Sequence, residues 1–236
     1  MPSSEHLSRQ YDSELEDIRS RVLQMGGLVE SQILAAIECL TTGDVDLMAK
    51  VSENDRRVNS YEVEIDEACS HVIARRQPAA SDLRLIMAVS KIVTDLERTG
   101  DEAEKIARMA RQIHDRGRLQ TPRSADVSQA GLLAVALLRR VLDALARLDA
   151  AEAERIIAED VTIDDAFRGI VRQLVTYMME DPRTISTALD IIWIAKAIER
   201  IGDHTKNVAE QVIYIVRGTD VRHTVREGHA EPDGAE

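Results

Sequence analysis

Aromatic side chains are scarce in this chain: its 236 residues include one Phe, one Trp and four Tyr. That leaves no set of stacking platforms for single-stranded nucleic acid. It also points to a core of Leu, Ile, Val and Ala, the residues of packed helices rather than of a sheet sandwich. Only five prolines interrupt the chain, so long stretches are free of helix breaks. The two cysteines, Cys39 and Cys69, form neither a ligand pattern nor a disulfide framework. With no secretory leader pattern at the N-terminus, they are expected to be reduced thiols in a cytoplasmic protein. No apolar run approaches the roughly 18 residues of a membrane span, so any membrane association is expected to be peripheral. The net charge of −12 disfavours a phosphate-backbone footprint, and nucleic acid is not expected as a partner. Phosphate-binding loops, nucleophile elbows, H-E-x-x-H and C-x-x-C are all missing, which leaves no nucleophile with its base. The E-x-x-H pair of di-iron oxidases is missing too, which argues against oxygen chemistry.

What is present is helical periodicity. Leu15, Ile18, Val22, Met25, Val29, Ile33, Ile37 and Leu40 recur at intervals of three and four, as one apolar stripe. Residues 1 to 8 before it are expected to fray, and Gly26-Gly27 to kink or loosen the helix. Thr42-Gly43-Asp44 ends helix one and caps helix two, expected from about 45 to 75. Helix three is expected from Ser81, as its cap, to about His114. Asp115 to Ala125 is the clearest interior break. Helix four follows from about 126 to 147 and helix five from 150 to 180. Asp181-Pro182 then starts helix six. The expected fold is all-α: two tandem three-helix bundles, six long helices in all, related by a pseudo-two-fold internal repeat. The first would span 9–116 and the second 124–217, with 218–236 a disordered tail.

The strongest signal is a duplicated acidic motif. Asp95-Leu96-Glu97-Arg98-Thr99-Gly100-Asp101 returns as Ile198-Glu199-Arg200-Ile201-Gly202-Asp203, a shift of 102 positions. In a helix, residues i and i+4 share a face, so Glu97 with Asp101, and Glu199 with Asp203, each present two carboxylates one turn apart. Folding the first hairpin brings them level with Glu53, Asp55 and Asn59. Folding the second brings its pair level with Glu159, Asp160 and Asp164. Such carboxylates repel unless a cation or arginines intervene. An all-oxygen donor set suits iron, manganese, magnesium or calcium better than structural zinc. Metal sites at Glu97, Asp101 and Asp55, and at Glu199, Asp203, Asp160 and Asp164, are therefore one expectation, and a solvated acidic face is the other. Gly100 and Gly202 cost helix propensity and would let a neighbouring element approach closely. His204 is expected to serve behind the site or on the surface. Trp193 and Tyr177 are expected between helices or in a subunit contact, with the core as the default, and Met178-Met179 in hairpin packing.

The motif pair, with the Arg75-Arg76-Gln77-Pro78 approach to helix three and the run Ile191 to Lys196 before the second copy, resembles the PhoU family of phosphate-uptake regulators over about residues 10 to 217. Glu97, Asp101, Glu199 and Asp203 match that family's repeated acidic signature. The resemblance implies a non-enzymatic, cytoplasmic negative regulator of phosphate uptake and of the phosphate starvation response. It further implies an adaptor between the ATPase subunit of a phosphate ABC transporter and a sensor histidine kinase. A homodimer and a bound metal are implied as well, iron first, then manganese, zinc or magnesium. Asn59, standing where the second half has Asp164, implies a weaker first site. The alternatives are a helical adaptor for another transporter, with or without metal, and a di-metal carboxylate enzyme.

Overall fold

The computed structural model describes residues 3–116 and 124–221, with side-chain surroundings from residue 10 onward. All its long elements are helices: α1 (Ser3–Thr42), α2 (Val45–Arg76), α3 (Ala80–Asp115), α4 (Ser124–Arg147), α5 (Ala150–Glu159), α6 (Val161–Glu180) and α7 (Ile185–Arg217). With α5 and α6 taken as one bent rod, these are the six long helices of the all-α expectation.

The ends follow local chemistry. Gly43 takes φ +67°, and the Asp44 carboxylate then accepts from the backbone N–H of Asp46 and Leu47 to open α2, satisfying donors that a helix start leaves unbonded. Gln77 closes α2 in the left-handed region, its N–H reaching the Ile73 carbonyl. Gly218 closes α7 the same way on Tyr214. Asp149 caps α5 through Glu152 N–H.

Several boundaries differ from the sequence expectation. Backbone helix begins at Ser3, ahead of the expected frayed end. Ser81 does not cap α3: the helix starts at Ala80 after an uncapped Ala79, and the Ser81 hydroxyl turns to Asp82. Helix five is broken at Asp160, where Ile163 N–H bonds the Asp160 carbonyl in a tightened three-residue turn. Pro182–Thr184 forms a short 3-10 turn before α7. The expected interior break falls partly, and the expected tail mostly, outside the described residues.

Helix α1 runs unbroken through Gly26. This glycine admits the Leu142 side chain of α4 so closely that a methyl group there would meet Leu142 Cδ2 at 2.4 Å. Gly131 of α4 admits Ile37 of α1 equally closely, at 2.5 Å. The two contacts are exchanged by one shift of 105 positions, Gly26 to Gly131 and Ile37 to Leu142. A reciprocal pair of this kind requires α1 and α4 to cross antiparallel about a pseudo-two-fold axis. Helices α3 and α7 share the most extensive helix-to-helix contact and are also antiparallel, joined by Asp95 to His204 and by Glu102 to Arg200. Buried residues from both halves form one continuous hydrophobic cluster.

Trp193 and Tyr177 are not core residues. Trp193 is 53% exposed, with the Lys105 ammonium 5.9 Å from its ring centroid, and Tyr177 is also exposed. Met178 packs on the core, whereas Met179 is 80% exposed.

Candidate functional site

The folded hairpins gather carboxylates at two places related by the pseudo-axis. In the first half, Asp55 on α2 faces Glu97 and Asp101 on α3, with Gln32 of α1 beneath them. Gln32 is fully buried. Its Nε2 donates to Asp55 Oδ1 and to the Gly100 carbonyl, both at 3.1 Å. Gly100 makes room for this arrangement, since a methyl group there would lie 3.3 Å from Gln32 Oε1 and 3.7 Å from Asp55 Oδ1. Replacing Gln32 with Leu removes the one side chain that ties the three helices together here. The expected cost is about 1–3 kcal/mol, that of leaving buried polar groups unsatisfied, read by urea denaturation. An unchanged midpoint would refute the tie.

The electrostatics of this first cluster are uncompensated. Burial, then the charges of Asp101, Glu62 and Asp55, hold the Glu97 carboxyl above its usual range. Asp101 is raised by burial, then by Asp55, Glu104 and Glu102. Glu62 is raised by burial, then by Asp66 and Asp101. Arg98 opposes these shifts at Glu97 and Glu62 only as the smallest contribution. Glu62 was not among the expected site residues, yet it stands seven positions after Asp55, two turns along the same helix face. Gln32 gave no local signal, because α1 meets this level only through packing. Glu53 and Asn59, expected opposite the motif, are exposed.

In the second half, Asp203 and Glu199 on α7 face Asp160 and Asp164. Burial, then Glu199, Asp160 and Asp164, raise the Asp203 carboxyl, against the Lys196 charge. Gly202 repeats the role of Gly100: a methyl group there would lie 3.4 Å from Asp160 Oδ1 and 3.0 Å from Ile163 Cδ1. The difference lies in the cations. Lys206 reaches Asp160 at 3.1 Å and Lys196 reaches Glu199 at 2.5 Å. Arg168 lies 3.5 Å from Asp164. Phe167 occupies the position equivalent to Glu62, under the Lys196 ammonium at 5.5 Å. The second cluster is therefore largely neutralised by its own lysines, while the first is not.

The structure thus brings all seven expected residues into two groups. Among the described residues, however, no three His, Cys, Asp or Glu side chains converge in a geometry that could hold a metal ion. The donor chemistry fits an oxygen-preferring cation. His204 serves neither group. Its Nδ1 lies 2.9 Å from Asp95 Oδ1, which also accepts from Asn207 at 3.0 Å, so it links the two halves of the chain.

The family model described as "PhoU domain" matches this chain twice, over residues 22–110 and 127–212. The chain belongs to the PhoU family. Among its PhoU relatives is the Pseudomonas aeruginosa protein named "Phosphate-specific transport system accessory protein PhoU homolog", 51% identical over 92% of this chain and 90% of the relative. The Escherichia coli K12 "Phosphate-specific transport system accessory protein PhoU" is 47% identical over 93% and 90%. The crystal structure of PhoU from Pseudomonas aeruginosa superposes with a TM-score of 0.85 at 50% identity, covering 89% of this chain and all of that one. The "phosphate transport system regulatory protein PhoU" of Streptococcus pneumoniae gives 0.81 at 25% identity, over 89% of this chain and 99% of that one. All seven expected acidic residues lie inside the two matched PhoU segments.

Proposed function

We propose that this chain is an accessory regulator of phosphate-specific transport that restrains uptake and the starvation response when phosphate is plentiful. The carrying observation is likeness along nearly the whole chain to proteins named for that role, at about half identity and with the same fold. In finer detail, the protein works in the cytoplasm as a homodimeric adaptor between the ATPase subunit of a phosphate ABC transporter and a sensor histidine kinase. The action is steric and conformational: it binds one state of a partner more tightly than another, and only such a difference shifts an equilibrium. No helix among the described residues is long and apolar enough to cross a membrane, so contact with a membrane complex would run through its partners.

The first acidic cluster carries a cation on this reading. Asp55, Glu62, Glu97 and Asp101 supply oxygen donors there without an internal lysine, and iron, manganese, zinc or magnesium would offset their repulsion. The second cluster, at Asp160, Asp164, Glu199 and Asp203, is the weaker metal site because Lys196 and Lys206 already stand among its carboxylates. This reverses the order implied by Asn59.

The regulatory reading is tested in a bacterium deleted for its own accessory protein of this type. Expression of the chain should restore low phosphate uptake in replete medium, and co-purification should recover the transporter ATPase and the kinase. Uptake left high despite normal expression overturns the role. Elemental analysis of protein purified without chelator or polyhistidine tag tests the metal. Metal content should fall in Glu97→Gln/Asp101→Asn and change less in Glu199→Gln/Asp203→Asn; equal content in all three proteins refutes both sites.

A further inference from the structure

Next to the first acidic cluster, the seam between α3 and α7 opens into a cleft of about 360 Å³, with Lys91, Thr94, Asp95 and Arg98 of α3 and Asn207 and Gln211 of α7 in its wall. Small-molecule sites start at about this size, on the order of 300 Å³. Its charges are unevenly satisfied. The Asp95 carboxylate in its wall is engaged, accepting from His204 and Asn207, and the lining Ser90 hydroxyl donates to Asp66 at 2.9 Å. The cations are not. Among the described residues neither Lys91 nor Arg98 has an ion pair, and Lys91 has only the Tyr214 ring, 5.8 Å away. Gln211, in the same wall, is 4% exposed, and among the described residues its amide oxygen has no hydrogen-bond partner. A buried acceptor left unbonded is uncommon and destabilising unless something supplies a donor.

The pseudo-axis shows that this arrangement is not a by-product of duplication. At the other end of the seam, a shift of 102 positions puts Trp193 where Lys91 stands, Met109 for Gln211 and Lys105 for Asn207. There Lys105 lies over Trp193 and Arg200 is paired with Glu102 at 2.7 Å. One end of the seam thus has its cations in ion pairs or on a ring, and the other presents, among the described residues, two cations without an ion pair beside an amide oxygen without a hydrogen-bond partner.

We propose that the cleft between α3 and α7 binds a small phosphate-type oxyanion that carries a hydroxyl, with Lys91 and Arg98 on its charged oxygens and the Gln211 amide accepting from its O–H. Charge-assisted contacts of this kind suit a phosphoryl group. Hydrogen phosphate keeps a proton near neutral pH and a polyol phosphate carries alcohol hydroxyls, whereas sulfate offers neither. Because both helices line the cleft, an occupant bridges the two halves of the chain.

The test is calorimetric titration of the chelator-treated full chain with inorganic phosphate, glycerol 3-phosphate and sulfate at constant ionic strength. Saturable binding of at least one phosphate compound is expected, at least tenfold tighter than sulfate and at least tenfold weaker in Lys91→Gln and in Arg98→Gln. Arg98 is exposed and Lys91 is half-buried without an ion pair among the described residues, so folding should be kept, checked by circular dichroism. Tighter binding of inorganic phosphate identifies the free anion as the ligand; tighter binding of glycerol 3-phosphate identifies a monoester. No saturable binding of either compound, or binding unchanged in both variants, overturns the site. The inference does not rest on the regulatory reading, and its failure would leave the uptake experiment unaffected.

Discussion

Replacing Leu96 with Ala is expected to lower the unfolding free energy by about 2–5 kcal/mol, the range for truncating a buried leucine. For a chain of this size each kcal/mol corresponds to roughly 2–4 °C of Tm. Leu96 is fully buried inside the first acidic motif, between Asp95 and Glu97. The distinguishing expectation is that the loss appears in a single transition. The hydrophobic cluster runs unbroken from α1 to α7, and α3 and α7 pack on each other more extensively than any other pair of helices. A cavity at Leu96 therefore weakens both halves together. Calorimetry that resolves two transitions, with only the first displaced, would show two independently folding bundles instead.

Neutralising the first acidic cluster has the opposite sign. In chelator-treated protein at pH 7, Glu97→Gln/Asp101→Asn should raise Tm, since both carboxyls are raised above their ordinary values by burial and like charge. A raised carboxyl binds more protons folded than unfolded, so stability falls as pH rises from the unfolded value through the folded one. The penalty is complete above the folded pKa and absent below the ordinary values of 4.5 for Glu and 3.8 for Asp. The gain of the double variant should therefore shrink on acidification and vanish below about pH 4. Saturating cation should reverse the order, because only the parent chain keeps its carboxylates to bind it, and binding to the folded state adds RT ln(1 + [L]/Kd). A double variant less stable than the parent in chelator at pH 7 would contradict the repulsion argument.

Much of this was legible along the chain because it depends on local spacing. Apolar residues at intervals of three and four mark α1, α3 and α7, and Asp44 and Gly218 mark ends whose hydrogen bonds lie within one turn. The duplicated Glu-Arg-x-Gly-Asp set the pseudo-two-fold organisation and four of the acidic residues, and hairpin arithmetic supplied Asp55, Asp160 and Asp164. That arithmetic assumed straight helices. It missed the bend at Asp160, and it placed Asn59 opposite the motif where Glu62 contributes instead.

The sequence by itself determined the helical class, the repeat and the level at which the carboxylates gather, since each follows from periodicity and from contacts one turn apart. Only the tertiary structure decided which carboxylates are neutralised and which are not. Lys206 meets Asp160 across 46 positions, Gln32 meets Gly100 across 68, and His204 meets Asp95 across 109. Electrostatic strength depends on distance and burial in space, and no spacing along one helix records either.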